Sequence, residues 1–249
     1  MHTSFISQVG DTKIYQSLKD GEIHIFLAHP DYVESSDESL LNATERSRAS
    51  AFKFFSDRKR YVAAHSFLRQ TLSKYAPLLP ATWRFTTNGY GKPSIANNGY
   101  EWLQFNLSHT HGLIACAISY QREVGIDVEK RKALMDLESL CQYAFSAPEA
   151  ADILSLANLQ AREQRFFTYW TLKEAYVKAR GMGLSIPLQQ FTFIEGVNKE
   201  WSLHCDPALQ DDGKNWQFSS YIMNDHHLSI GVPIDPAIMT SRMRFNRLF

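Results

Sequence analysis

Asp127 and Glu129 stand two residues apart in Gly125-Ile-Asp-Val-Glu129. Strand side chains alternate with period two, so Val124, Ile126 and Val128 turn toward a core and the two carboxylates turn together to the other face. Neighbouring carboxylates repel each other, and a hard divalent cation such as Mg²⁺ relieves that repulsion through oxygen ligands. The alternative is the solvated outer face of an edge strand. A third carboxylate, Glu174, lies four residues before Lys178 in Trp170-Thr-Leu-Lys-Glu-Ala-Tyr-Val-Lys178. On a helix these two are neighbours, nearly opposite an apolar stripe of Tyr169, Leu172, Tyr176 and Ala179. They form either a surface ion pair or, with Phe167 and Trp170 flanking Glu174, a charged pair in a partly covered groove.

Several residues could hold an anion. Lys92 sits in a Gly-Lys-Pro turn whose stiff backbone would aim its ammonium, and Ser108 and His109 end a strand where both can donate hydrogen bonds to phosphate oxygens. Arg58, Val62, His65 and Arg69 fall along one line of an early helix. Each has a structural alternative: hairpin lysine, capping serine, surface arginines. His109 and His111 make an H-x-H pair, but no further motif completes a metal site around it. No G-x-x-x-x-G-K-[ST] loop, G-x-G-x-x-G turn or G-x-S-x-G elbow is present, which removes several common enzyme classes.

The elements that must position these residues are legible in the pattern. A strand is expected over 22–27 and a helix over 39–51. A second helix should begin near Ser56 or Asp57, either of which could cap it. Tyr61, Ala64, Leu68, Leu72 and Tyr75 recur on it as a buried stripe, and Pro77 and Pro80 end it. Short strands follow at 83–86, 104–108, 113–119 and 124–129, with tight turns at 88–93 and 108–112. Residues 131–162 read as polar and helical. The most periodic helix of the C-terminal half runs from Glu163 to Arg180 and closes at Gly181. Strands return at 191–194, 201–205, 216–223 and 228–232. Both halves run long helix, short aromatic strand (Trp83-Arg-Phe85, Phe191-Thr-Phe193), then a histidine-bearing turn feeding an apolar strand, a faint pseudo-repeat with its seam near 119–125.

A chain of 249 residues with 44% hydrophobic content can bury one large core or two smaller ones. Formal net charge is zero, which gives no support for broad attraction to nucleic acid or to an anionic membrane. Cys116, Cys141 and Cys205 are scattered, odd in number and without C-x-x-C spacing, as expected of reduced thiols in a cytoplasmic protein. The N-terminus, MHTSFISQVGDTKIYQ, lacks the regions of a signal peptide, and the apolar run 113–118 is too short to span a bilayer.

Taken in order, Gly-Lys-Pro, Phe-Asn-Leu-Ser-His, Val-Gly-Ile-Asp-Val-Glu and Trp-Thr-Leu-Lys-Glu-Ala-Tyr-Val-Lys-Ala-x-Gly-x-Gly-Leu resemble the 4′-phosphopantetheinyl transferase superfamily. The motifs span Gly91 to Leu184, and a weaker match reaches back to Phe54. The length resembles the larger, Sfp-type branch, in which two similar halves form a pseudo-dimer. The resemblance implies an α+β fold of two similar subdomains related by a pseudo-twofold, 1–120 and 121–249, each a small, mainly antiparallel sheet packed with a long helix. The active site would lie between them.

It also implies that coenzyme A and Mg²⁺, with Mn²⁺ as an alternative, bind there. Asp127, Glu129 and Glu174 match the metal ligands, and Glu174 matches the base that takes the proton of a carrier serine. Lys178 matches the lysine near the reacting phosphate. Lys92, Ser108 and His109 match contacts to the nucleotide phosphates, and Arg69 matches a basic residue of the early helix. The family often has a basic residue one or two positions before Asp57; Ser56 and Phe55 stand there, which leaves Lys53 or Arg58 for that contact. The implied reaction is attack by a serine of an apo-acyl or peptidyl carrier protein on the β-phosphate of coenzyme A, releasing 3′,5′-ADP, in a cytoplasmic monomer. A metal-dependent phosphohydrolase using the same carboxylates, or a non-catalytic carrier-binding module, are the competing expectations.

Overall fold

The computed structural model describes residues 15–34, 36–236 and 241–247, without the side chains of Leu184 and Arg247. The reading of the extreme N-terminus falls on residues 1–14, outside the described residues. The first half contains β1 (Glu22–Ala28), α1 (Ala43–Ser50), α2 (Phe55–Leu72), a hairpin of β2 (Phe85–Thr87) and β3 (Pro93–Ile95), then β4 (Leu103–Thr110) and β5 (Leu113–Tyr120). The second contains β6 (Gly125–Lys130), α3 (Leu137–Ala144), α4 (Ala147–Ser155), α5 (Leu159–Arg180), β7 (Phe191–Glu195), β8 (Trp201–Cys205), β9 (Trp216–Met223) and β10 (His226–Pro233). A last strand, β11 (Arg242–Arg247), follows.

Two sheets carry the fold, in the orders β11-β1-β5-β4 and β6-β10-β9-β8-β7. All their pairings are antiparallel except β1–β11, which is parallel and brings residues 242–247, expected with the second half, into the sheet of the first. The fold class is α+β, as expected. β1 and β5 are buried on both faces. Phe26, Cys116 and Ile118 pack under α2, while Ile23, Ile25, Ala115 and Ala117 meet Val124 just before β6, Ile126 and Val128 of β6, and Leu228 and Ile230 of β10. The two sheets thus share an apolar layer, whose burial is the main force joining the halves.

Where these sheets meet at their edges, β4 and β6 lie side by side. Every second residue of β4 offers a side-chain oxygen to the amide of every second residue of β6. Asn106 Oδ1 accepts from Ile126 N (2.9 Å), Ser108 Oγ from Val128 N (3.2 Å) and Thr110 Oγ1 from Lys130 N (3.4 Å). The outer N–H groups of an edge strand would otherwise be buried unpaired.

Some boundaries differ from expectation for local reasons. α1 starts at Ala43 because Asn42 and Glu45 form a reciprocal capping box (2.8 Å each way). α2 begins at Phe55, so Ser56 and Asp57 lie in its first turn; its N-cap, Phe54, makes no side-chain cap bond. It ends at Leu72, before the prolines. The polar stretch 131–162 resolves into α3, α4 and the first turn of α5, which Asn158 caps. Gly181 closes α5 in the left-handed region (φ 64°), a conformation that costs glycine nothing.

Candidate active site

α5 lies against β6 and β10 of its own sheet and is buried around most of its circumference. Gly125 permits that approach: a Cβ there would overlap the Ala175 carbonyl oxygen and crowd the Ala179 amide. The alternation expected of β6 places Asp127 beneath α5, only 4% exposed, so the solvated-edge alternative does not apply to it.

Asp127 Oδ1 accepts from Lys178 Nζ (2.6 Å) and from Ser108 Oγ (2.9 Å), and Lys178 Nζ also donates to Ser108 Oγ (3.1 Å). The other oxygen, Oδ2, is buried without a hydrogen-bond partner. Lys178 therefore pairs with a carboxylate from β6, and the expected ion pair with Glu174 is not formed. Glu174 and Glu129 are both half-buried, and both have their pKa raised by burial and then by the Asp127 charge, with Lys178 opposing. Thr110 Oγ1 donates to Glu129 Oε2 at 3.4 Å.

Among the described residues no three acidic, histidine or cysteine side chains converge as a ready-made metal cluster. The donor set nonetheless suits a hard cation. Asp127 Oδ2 is an orphaned buried oxygen, and two further carboxyls lie close enough to feel the Asp127 charge.

Beside this group runs a cleft of about 490 Å³ lined from both halves. Lys92, His109, Glu174 and Lys178 line it, as do Arg48, Phe52, Tyr61, His65 and Tyr90, which sequence patterning did not single out as cleft residues. His65, marked only as one of the helical line, packs tilted against Tyr61 (ring centroids 4.1 Å, planes 34° apart) and its Nδ1 meets Glu45 Oε1 at 3.1 Å. Burial alone would raise Glu45, but hydrogen bonds from His65, the Asn42 amide and Arg69 outweigh it and hold the carboxyl at about 2. His109 is held at about 4, first by burial and then by His65, Arg60, Lys178 and Arg48 nearby. A neutral imidazole can donate one hydrogen bond to a phosphate but adds no charge.

Lys92 crosses between the halves: its Nζ donates to the Ala179 carbonyl (2.8 Å) and pairs with Glu123. Asn88 Nδ2 reaches the Gly181 carbonyl (2.7 Å), so the Gly-Lys-Pro turn is tied to the end of α5.

Three expected contacts are placed elsewhere. Arg69 is fully buried; it donates to Glu45 Oε2 (2.6 Å) and the Trp83 carbonyl (2.7 Å), and so braces the interior, away from the cleft wall. Arg58 makes a fork to Glu38 (2.8 and 3.0 Å) and does not line the cleft. Phe167 and Trp170 belong to the core under the second sheet instead of flanking a groove at Glu174. In each case sequence gave the helical face but not what covers it.

The model of the 4′-phosphopantetheinyl transferase superfamily matches residues 123–231, and that of the 4′-phosphopantetheinyl transferase N-terminal region matches 34–121. The chain is similar to 4′-phosphopantetheinyl transferase HetI of Nostoc sp., 37% identical over 173 residues that cover 68% of this chain and 73% of that protein. It is also similar to 4′-phosphopantetheinyl transferase Sfp of Bacillus subtilis, 31% identical over 62% of this chain and 66% of that one. The crystal structure of Thermotoga maritima holo-[acyl-carrier-protein] synthase aligns with 45% of this chain and 62% of that one at 22% identity and a TM-score of 0.37. On the two family models and the HetI match, this chain is an enzyme of the 4′-phosphopantetheinyl transferase superfamily.

Proposed function

We propose that the enzyme moves phosphopantetheine from coenzyme A to a serine of an apo-acyl or peptidyl carrier protein, releasing 3′,5′-ADP, as a cytoplasmic monomer. The observation that carries this is a buried, half-satisfied Asp127 paired with Lys178, with Glu174 near enough to feel its charge, beside a cleft lined from both halves. Among the described residues no helix is long and apolar enough to cross a membrane.

Asp127 through its free Oδ2, Glu129 and Glu174 are the residues that would hold Mg²⁺ or Mn²⁺. The chemistry such an ion supplies is neutralisation of diphosphate charge. Glu174, raised by burial and by Asp127, is suited to accept the serine proton. The serine oxygen then bonds to the β-phosphorus as the bond to the departing nucleotide breaks. Lys178, held in place by Asp127 and Ser108, offsets the charge that develops on the phosphate oxygens. Lys92 and His109, with Arg48 and His65, give the cleft the cations and donors that a nucleotide needs.

The test incubates the enzyme with coenzyme A, Mg²⁺ and apo-carriers from fatty-acid, polyketide and peptide synthesis, and reads intact mass. A gain of one phosphopantetheine is expected, lost with EDTA and slowed about 100-fold or more by Glu174→Gln. No gain on any carrier, or release of the phosphopantetheine to water without an acceptor, refutes the proposal.

A further inference from the structure

We infer that Asp211, in the segment joining β8 to β9, is a positioning residue for Lys178 and acts through Arg180. This rests on the function proposed above. Asp211 Oδ2 accepts from the Tyr176 hydroxyl (2.6 Å), from Arg180 Nη1 and from the Trp216 indole (3.0 Å), and the same Arg180 nitrogen donates to the Tyr176 oxygen (2.8 Å). One carboxylate thus gathers three donors, two from the last turns of α5 and one from the start of β9. The Asp211 side chain is 15% exposed and does not line the cleft.

Helical spacing gives this cluster its meaning. Tyr176 follows Glu174 by two residues and Arg180 follows Lys178 by two, which is roughly 200° around the axis. Asp211 therefore grips the back of the two turns whose front carries the proposed base and the proposed lysine. On the helix side, Tyr176 is fully buried, its ring against Phe191 and Trp216 (centroids 4.8 and 5.1 Å). On the loop side, a Cβ at Gly213 would overlap the Leu203 carbonyl oxygen, so the chain beside Asp211 lies directly on β8. Gln210, just before it, turns the backbone through the left-handed region (φ 49°), which few side-chain-bearing residues adopt. Glu174 follows Lys173, which is anchored on the Leu188 and Phe191 carbonyls. Lys178 lies a turn further on, between two supports: Asn88 and Lys92 hold the Gly181 and Ala179 carbonyls from the first half, and Asp211 holds Arg180 from the second. A group about 6 Å from the helix axis moves about 1 Å when its turn rotates by about 10°. Displacement of reacting groups by about 1 Å can lower turnover as much as about 100-fold.

The experiment compares the full-length wild type with Asp211→Ala, Arg180→Met, the double variant and Arg165→Ala. Arg165 also makes ion pairs from α5, to Asp152 and Glu195. It lies about 20 Å before Lys178 along the helix, so it shows what loss of an α5 ion pair does by itself. Three quantities are read: kcat for carrier modification, KM for coenzyme A, and hydrogen exchange of amides 177–181. Asp211→Ala and Arg180→Met should each lower kcat about 10-fold, leave KM within about twofold and speed exchange in that turn. The double variant should lose about the same 10-fold, because both changes break one link. Arg165→Ala should keep kcat within about twofold. If Asp211→Ala does not fold, Asp211→Asn, which keeps an acceptor for Tyr176 and Trp216 without the charge for Arg180, is held to the same thresholds. An Asp211 variant with kcat within about twofold, a rise in KM with kcat kept, a double variant down about 100-fold, or an equal loss in Arg165→Ala overturns the inference. If the wild type modifies no carrier, the functional proposal fails by itself. Exchange of 177–181 then still decides whether Asp211 fixes the turn that carries Lys178, and unchanged exchange overturns it.

Discussion

Replacing Glu149 by alanine should destabilise the protein more than any surface change, because it strands a buried cation. Glu149 on α4 is 1% exposed, and Lys173, the residue before Glu174 on α5, is fully buried. Their charged atoms are 2.8 Å apart. Lys173 Nζ also donates to the carbonyls of Leu188 and Phe191 (2.6 Å each), while Glu149 accepts from the Ser146 amide, the Ser146 hydroxyl and the Phe193 amide (2.8–2.9 Å). The pair thus clamps α4, α5 and the entry to β7. Removing one partner of such a pair costs about 3–5 kcal/mol. The Phe193 amide and the start of α4 lose their acceptor as well, so the loss should be about 4 kcal/mol or more. Lys173→Met should cost about half as much, because the remaining carboxylate keeps three protein donors. Urea unfolding followed by tryptophan fluorescence measures both, and Glu149→Gln serves if the alanine variant does not fold. A pH series adds a sign. Burial already lowers Lys173 to about 8, against the pull of Glu149. Without Glu149 its pKa falls further, so the folded variant sheds that proton earlier, and its deficit should be smaller at pH 9 than at pH 6. A cost below about 1 kcal/mol, or a deficit that grows with pH, would refute a charged, clamping Lys173.

Two further outcomes test the frame around the site. Gly125→Ala should push α5 off β6, costing about 2 kcal/mol or more in thermal unfolding and lowering kcat through displacement of Glu174 and Lys178; a stable, fully active variant would contradict the close approach. His227, 1% exposed beside Thr168, is held at about 4, first by burial and then by Arg131 and His226. The unfolded chain binds that proton near pH 6.5, so stability should fall on acidification from about 6.5 toward 4, by about 2 kcal/mol between pH 7 and 5 from this residue. His227→Gln should flatten that slope in denaturant titrations at the two pH values, and an unchanged slope would show that His227 is not neutral in the fold.

Much of this site was visible in the one-dimensional pattern. Period two on 124–129 separates the apolar Val124, Ile126 and Val128 from Asp127 and Glu129, and the structure buries the three apolar side chains between the sheets while Asp127 is buried and Glu129 half-buried on the other side. Helical spacing puts Glu174 and Lys178 on a common face of α5, and glycine marks its end. The strand Arg242–Arg247 went unread, although Met243 and Phe245 alternate with polar residues there; so short a stretch is legible only once β1 offers it an edge.

Local periodicity states which residues share a face, because backbone geometry is the same in every helix or strand. It is silent on what lies opposite, which depends on chain segments far away. Lys178 has Glu174 as a helical neighbour, yet pairs with Asp127, 51 residues distant, because α5 rests on β6 where Gly125 leaves room. Arg69 and His65 share one helical line, yet packing of α1 buries the first on Glu45 and leaves the second on the cleft wall. Asp127, Glu129, Glu174 and Lys178 were named by the sequence itself. Which of them touch, which are desolvated enough to have their proton affinities moved, and that Ser108 bonds both Asp127 and Lys178 were decided by the meeting of two sheets at β4 and β6.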